Sequence, residues 1–209
     1  FNEFIVALGY KGEVIKEYFF NYKIHNSNFK INLDSGKINI GARDLDNWDI
    51  NLIDTGIKTL TGGRVLRLKE YIGNERFFLT YGDGVADIDI DELLEFHKKH
   101  NKMVTITAVR PPARFGKLKI SQGKVLEFVE KPQMDEGWIN GGFFVIEPEF
   151  LDFIDNDTTI LEKEPLEKVA SLGQLMAYKH EGFWQCMDTA RDLKYLEELW
   201  LKDQAIWKV

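Results

Sequence analysis

The sequence predicts a three-layer α/β domain organised on a mixed sheet, and three observations predict it. Short apolar runs of strand length alternate with amphipathic helical segments, as in residues 4–8 followed by 13–22. Two further pairs of short runs flank turn residues in the manner of hairpins, which adds antiparallel pairing to that alternation. Finally, 209 residues suffice for one large α/β domain and not comfortably for two.

Taken in order, residues 4–8 form a continuous apolar run closed by Gly9-Tyr10-Lys11-Gly12. Residues 13–22 then place Val14, Ile15, Tyr18, Phe19 and Tyr22 on one helical face. Runs over 29–33 and 37–40 flank Asp34-Ser35-Gly36, a hairpin-like pair. Residues 48–53 alternate as a half-buried strand and lead into Asp54-Thr55-Gly56, after which Val65, Leu66, Leu68 and Ile72 carry a helix. Residues 77–81 read as a buried strand that stops at Gly82-Asp83-Gly84. Asp89 and Glu92 resemble a capping pair for a helix over 90–100. A strand over 103–109 follows, then runs over 117–120 and 125–130 straddling Gln122-Gly123, then a short buried strand over 142–146. Pro148 and Pro165 sit where helices begin, residues 175–180 form a late strand, and 191–201 the last long helix. No repeat or low-complexity tract interrupts the series.

Composition narrows the function. A net charge of -7 opposes a generic nucleic-acid surface, so an anionic substrate must be met by local basic groups or a metal ion. No apolar run approaches membrane-spanning length. The single cysteine, Cys186, forbids an internal disulfide, suits a reducing, cytoplasmic compartment and reads as a small buried hydrophobe. His97 and His100 fall in the last turn of a helix, where cations complement the dipole, and no cysteine or partner motif accompanies them as zinc would require. The first residues, 1–8, resemble neither an initiator region nor a signal peptide and read as the approach to a strand inside a domain, so an earlier piece of the protein is expected.

Several positions carry possible chemistry. Gly82-Asp83-Gly84 leaves one acid at the carboxyl end of a strand, the edge where open α/β sheets bind ligands, although an ordinary Asp-Gly turn has the same residues. Asp188 precedes a helix that Thr189 and Asp192 already cap, which frees it for another role. Two such aspartates suit Mg²⁺, an ion that takes one or two carboxylates and leaves its other positions to water and phosphate oxygens. Thr61-Gly62-Gly63-Arg64 lies at a loop-to-helix junction, where free N–H groups can read a base edge or a phosphate. Arg64 in a first turn opposes the helix dipole, so something must compensate it: a triphosphate, or simply solvent. Lys131 in Glu130-Lys131-Pro132 suits a phosphate and Glu130 sugar hydroxyls, against a plain solvated strand end. Asn140, Gly141 and Gly142 offer an amide and two glycines, or a turn into a core strand. Trp138 and Trp184 suit packing more than ligand stacking.

Together, Gly9-Tyr10-Lys11-Gly12, Asp54-Thr55-Gly56, Thr61-Gly62-Gly63-Arg64, Tyr81-Gly82-Asp83-Gly84-Val85-Ala86-Asp87, Arg114-Phe115-Gly116, Glu130-Lys131-Pro132, Ile139-Asn140-Gly141-Gly142-Phe143 and Phe183-Trp184-Gln185-Cys186-Met187-Asp188-Thr189 occur in the order of the sugar-1-phosphate nucleotidylyltransferases. The chain resembles that family, its cytidylyl branch above all, across residues 1–209 as a single domain. The resemblance implies a Rossmann-like nucleotide-diphospho-sugar transferase fold with a mixed, mostly parallel sheet plus hairpin additions. It implies Mg²⁺-dependent transfer of a nucleotidyl group from CTP to glucose 1-phosphate, in a homo-oligomer, for dideoxysugar and surface-polysaccharide synthesis. It places Mg²⁺ on Asp83 and Asp188 and counts Asp83, Lys131 and Asp188 as catalytic. Thr59, Thr61, Gly62, Arg64 and Gly82 would surround CTP, and Glu130, Lys131, Asn140 and Gly141 would face the sugar phosphate. The family's opening strand, glycine-rich loop and helix have no counterpart among these residues. Uridylyl- or thymidylyltransfer, or a non-catalytic nucleotide-sugar binder on the same fold, are the alternatives.

Overall fold

The computed structural model describes residues 1–41, 47–111, 117–121, 124–129 and 137–208. Its contacts divide into two compact units, residues 1–73 with 151–165, and residues 74–150 with 166–209. The mixed α/β class expected from the sequence is borne out in both.

In the first unit, β1 (Glu3–Leu8) pairs in parallel with β4 (Asp49–Asp54), a register that requires the intervening crossover. The crossover carries α1 (Gly12–His25) and the small antiparallel hairpin β2 (Phe29–Ile31) with β3 (Ile38–Ile40). Two short helices follow, α2 (Thr61–Arg67) and α3 (Lys69–Ile72), joined at Leu68 where the sequence pattern reads as one helix. The amphipathic reading of α1 meets a difference: Val14, Ile15 and Tyr18 face solvent, and only Gly12 is buried. The rings cluster along the helix instead, with centroids of Tyr18 and Phe19 5.1 Å apart and of Tyr18 and Tyr22 5.8 Å apart.

The second unit centres on a sheet of order β11-β7-β10-β5. Its strands are β5 (Phe77–Thr80), β7 (Val104–Val109), β10 (Ile139–Ile146) and β11 (Leu175–His180). β11 lies parallel to β7, while β10 runs antiparallel to β5 and β7. The carboxyl ends of β5, β7 and β11 therefore share one edge with the start of β10. A separate two-stranded ribbon, β6 (Gly84–Ala86) with β12 (Trp184–Cys186), grows from that edge, because β6 follows β5 and β12 follows β11. Neither of these strands is foreseen from the sequence. α4 (Ile90–His100) is capped as expected, with Asp89 accepting from the Glu92 N–H at 2.9 Å. A second hairpin joins β8 (Lys117–Ser121) and β9 (Lys124–Val129), although Gln122 and Gly123 themselves lie outside the described residues. Pro148 opens a 3-10 helix (Pro148–Phe153), Pro165 falls in the first turn of α5 (Glu164–Ser171), and α6 (Ala190–Leu201) closes the chain behind a full Thr189–Asp192 capping box. Antiparallel pairs outnumber parallel ones among the described residues. Leu93, Val104, Val145, Ile146, Phe150 and Val169 are fully buried and form this unit's core.

The histidine pair corrects an expectation. His97 is not a solvated cation at a helix end: its ring is fully buried. Its Nδ1 meets Thr105 Oγ1 at 2.8 Å and its Nε2 meets Glu147 at 3.1 Å, while Arg76 donates through Nε to the same carboxylate at 2.7 Å. His100 Nε2 also reaches Thr105 Oγ1, at 2.7 Å, and its Nδ1 accepts from the Lys102 N–H at 2.9 Å. That last bond fixes His100 as the Nε2–H tautomer, which donates to Thr105. Thr105 is then left to donate to His97 Nδ1, and His97 to donate from Nε2 to Glu147. All four ring nitrogens are used in one direction. Burial holds both histidines below the usual imidazole range.

Candidate functional site

In the first unit the motif residues meet around one backbone carbonyl. Leu8, the last residue of β1, accepts from the Thr55 N–H at 2.9 Å, the Thr55 hydroxyl at 2.8 Å and Arg64 Nη1 at 3.0 Å. Arg64 Nη1 also donates to Thr55 Oγ1 at 2.6 Å. In the seven-residue α2, Arg64 falls in the last turn, where a cation complements the dipole, and its guanidinium is held by the residues that end β1 and follow β4. Its Nε and Nη2 donate to nothing among the described residues. Gly9 lies directly beneath the guanidinium, where a Cβ would collide with it, so this close approach requires glycine.

The sequence reading treats the amides of Thr61-Gly62-Gly63 as free, and the structure differs. The Gly62 and Gly63 N–H groups both donate to the Thr159 carbonyl, at 3.0 and 3.3 Å. A Cβ on Gly63 would strike the Asp157 backbone, so the double glycine serves chain packing here. Thr61 Oγ1 donates to Glu162 at 2.7 Å and accepts the Leu161 N–H at 2.9 Å. Thr59 is buried beside Gly56, whose φ of 86° is the left-handed turn that its Asp-Thr-Gly motif allows. Arg67 holds Asp157 with a two-point pair, Nε to Oδ1 at 2.8 Å and Nη2 to Oδ2 at 2.5 Å.

In the second unit the ribbon brings Asp83 and Asp188 to neighbouring backbone positions. Cys186 is opposite Gly84, and one residue outward the Met187 N–H donates to the Asp83 carbonyl at 2.7 Å. Asp83 therefore opens β6 and Asp188 follows β12 at the same end of the ribbon, and both residues are exposed to solvent. Asp188 accepts a bond from Cys186 Sγ at 3.2 Å. Burial first, and then this carboxylate, push the Cys186 thiol up to about 11, the behaviour of an inert small side chain and not of a nucleophile. Gly82 is exposed beside Asp83.

Asn140 and Gly141 lie at the start of β10, on the same edge. Asn140 Oδ1 accepts from the Gly142 N–H at 2.8 Å, and its Nδ2 donates to the Tyr81 hydroxyl at 3.2 Å. The Gly141 carbonyl accepts from Trp184 Nε1 at 2.8 Å, which assigns Trp184 to a structural bond. Trp138 lies under two cations, with the Arg110 guanidinium carbon 4.5 Å and Lys179 Nζ 5.4 Å from its ring centre. Glu130, Lys131, Pro132 and Arg114-Phe115-Gly116 lie outside the described residues. Thr55 and Tyr81 are engaged at these places, and Asp87 and His180 meet at 2.9 Å in the second unit, without having been singled out one by one. The signal for Thr55, Tyr81 and Asp87 was present, since all three sit inside quoted motifs.

With this geometry in hand, a family model described as nucleotidyl transferase matches residues 59–199, and the chain belongs to that family. Over 207 residues the chain is 50% identical to the glucose-1-phosphate cytidylyltransferase of Salmonella typhi, a match covering 99% of this chain and 80% of that protein. The enzyme of the same name in Salmonella typhimurium gives the same figures, 50% over 99% and 80%. Among solved structures, HddC from Yersinia pseudotuberculosis superimposes with a TM-score of 0.64 at 19% identity, covering 95% of this chain and 79% of that one, a likeness of fold. The resemblance read from the motifs is borne out.

Proposed function

We propose that the chain transfers a cytidylyl group from CTP to α-D-glucose 1-phosphate, giving CDP-glucose and pyrophosphate. The observation that carries this reading is the 50% identity, over 99% of the chain, to a glucose-1-phosphate cytidylyltransferase. A phosphate oxygen of the sugar phosphate forms a bond to the α-phosphorus of CTP. The bond from that phosphorus to the oxygen bridging to the β-phosphate breaks, and the electron pair leaves with pyrophosphate. With a second pKa of about 6, the sugar phosphate is already largely dianionic at neutral pH, so no general base is needed. The difficulty is holding two anions in line against their repulsion.

Asp83 and Asp188 fit Mg²⁺ by the chemistry of the donor set. They are hard, solvent-facing carboxylates at adjacent backbone positions, joined by the Asp83 carbonyl to Met187 N–H bond. No group of three or more His, Cys, Asp or Glu gathers among the described residues, so phosphate oxygens and water would have to complete the coordination. Bound there, Mg²⁺ would neutralise charge at the α-phosphate. Arg64, preset through Nη1, would turn its remaining N–H groups to CTP, with Thr59, Thr61, Gly62 and Gly82 around the nucleotide. Gly62 would act through its bare surface, since Thr159 occupies its amide. Lys131 would hold phosphate as a point charge, Glu130 would accept sugar hydroxyls, and Asn140 and Gly141 would border the sugar. The product would feed dideoxysugar and surface-polysaccharide synthesis in the cytoplasm. No helix among the described residues is long and apolar enough to cross a membrane. A homo-oligomer belongs to the same reading, and sedimentation of the full-length protein decides it.

The test is pyrophosphate release from glucose 1-phosphate with CTP, UTP, dTTP and ATP offered separately, with and without EDTA. We expect strong preference for CTP, loss of turnover in EDTA, and a drop of roughly 1,000-fold in D83N and D188N with an unchanged circular-dichroism spectrum. Equal rates across the nucleotides would sink the cytidylyl assignment. Full Mg²⁺-dependent activity in D83N would remove the metal assignment.

A further inference from the structure

We propose that His180 and Asp87 form a latch that positions the β6–β12 ribbon, and through it the carboxylates of Asp83 and Asp188; the inference rests on the metal reading above. The ribbon has three register pairs and, among the described residues, is not hydrogen-bonded as a ladder to the four-stranded sheet. Two strands this short do not hold themselves in place. Something else must fix the ribbon to the sheet edge from which it grows.

Two side-chain contacts do so. Trp184 Nε1 donates to the Gly141 carbonyl of β10 at 2.8 Å. The second contact gathers both connections of the ribbon onto one ring nitrogen. His180, the last residue of β11, places Nε2 2.9 Å from Asp87 Oδ1 and 3.1 Å from the Phe183 carbonyl. A carbonyl only accepts, so Nε2 carries the proton and donates it to the Phe183 carbonyl, while the Asp87 carboxylate lies within ion-pair distance of the same nitrogen. Asp87 immediately follows β6 and Phe183 immediately precedes β12. The Asp87 N–H also donates to the Phe183 carbonyl at 3.2 Å, closing the triangle. The His180 side chain is 10% exposed and that of Asp87 34%, so one partner is largely withdrawn from solvent, unlike a surface ion pair with both partners solvated. Gly182 completes the fit, because a Cβ there would collide with the Asp87 carboxylate and the His180 ring.

The latch lies at one end of the ribbon and the two aspartates at the other, about 13 Å away over the four residue steps from Asp83 to Asp87. A change at the latch therefore tilts the carboxylates without touching them. This gives Asp87 and His180 the role of positioning residues. It also accounts for the last residue of the Gly82-Asp83-Gly84-Val85-Ala86-Asp87 motif, which the proposed reaction leaves unused.

The experiment measures Mn²⁺, a spectroscopic stand-in for Mg²⁺, bound to the full-length protein in the presence of CTP by electron paramagnetic resonance. The variants are H180A, H180Q, D87A, D87N and D83N. We expect H180A and D87A to weaken Mn²⁺ by about tenfold or more, as loss of outer-shell partners does elsewhere. H180Q, which keeps an N–H donor, and D87N, which keeps an acceptor, should stay close to wild type, and the thermal midpoints of all five should change little. Wild-type Mn²⁺ affinity in H180A overturns the latch, as does a loss in H180Q equal to that in H180A. If D83N binds Mn²⁺ like wild type, the metal reading itself fails and the latch with it. A loss confined to D83N leaves the metal site standing and removes the latch alone.

Discussion

Arg64 and Cys186 show two ways in which a residue's surroundings decide its chemistry. A cation in the first turn of a helix needs compensation, and the sequence argument offers it a triphosphate or solvent. The structure supplies the Leu8 carbonyl and the Thr55 hydroxyl, which both hold Nη1 of the guanidinium and leave Nε and Nη2 without a partner among the described residues. Neither partner was legible, since both act across strand ends that only the fold brings together. Cys186 was legible, as a small hydrophobe without a histidine partner. Its bond to Asp188 and its raised pKa of about 11 give that reading a measurable form. Iodoacetamide at pH 7.5 should alkylate Cys186 roughly 100-fold more slowly than a free thiol of ordinary pKa. Alkylation at the free-thiol rate would show that the thiol is not held in this way.

At the level of elements, the parts with a local signal were readable. α4, β11 and α6 follow from periodicity and caps, and the Thr189–Asp192 box appears with both of its bonds. β6 and β12 had no such signal, because three residues are too few to show a period and each strand's partner is distant in the sequence. The connection from α4 to β7 was placed correctly while its polar content was missed: the turn brings His97, His100 and Thr105 into one buried chain that ends on Glu147. That chain predicts a pH dependence. Burial keeps His97 and His100 neutral when folded, whereas the unfolded chain binds protons as pH falls through the ordinary histidine pKa of about 6.5. Unfolding is then favoured on acidification, and stability is lost from about pH 6.5 downward. Glu147 acts lower. Burial alone would raise its pKa, but the bonds from Arg76 and His97 outweigh that and hold the carboxyl below the usual range. Its contribution fades as pH falls through that lower value. Urea midpoints should fall between pH 7.5 and pH 5.5 in wild type and fall less in H97Q. An identical fall in both would place the titrating group elsewhere.

For the molecule as a whole, the family and the mixed α/β class were within reach of motif order alone, and the match over 99% of the chain agrees with that. The geometry of the candidate site was not, because its parts are contributed by loops whose conformations depend on packing. The double glycine of Thr61-Gly62-Gly63-Arg64 shows the difference: its place in the motif was plain, while its contact with the 157–159 backbone was not. The Asp83–Met187 bond carries a further consequence, for the order in which the protein assembles. It joins a residue just after β5 to one just after β12, so it closes a very long loop whose entropic cost falls before the contact is rewarded. Most of the helices and the β5–β10–β7 ladder can form before that closure. In a refolding experiment monitored in parallel, far-ultraviolet circular dichroism should recover first and Mn²⁺–CTP binding should lag behind it. Competence to bind the metal would then be a late acquisition of the folding chain, and a partly synthesised or partly unfolded copy would be silent toward nucleotide well before it lost its helices.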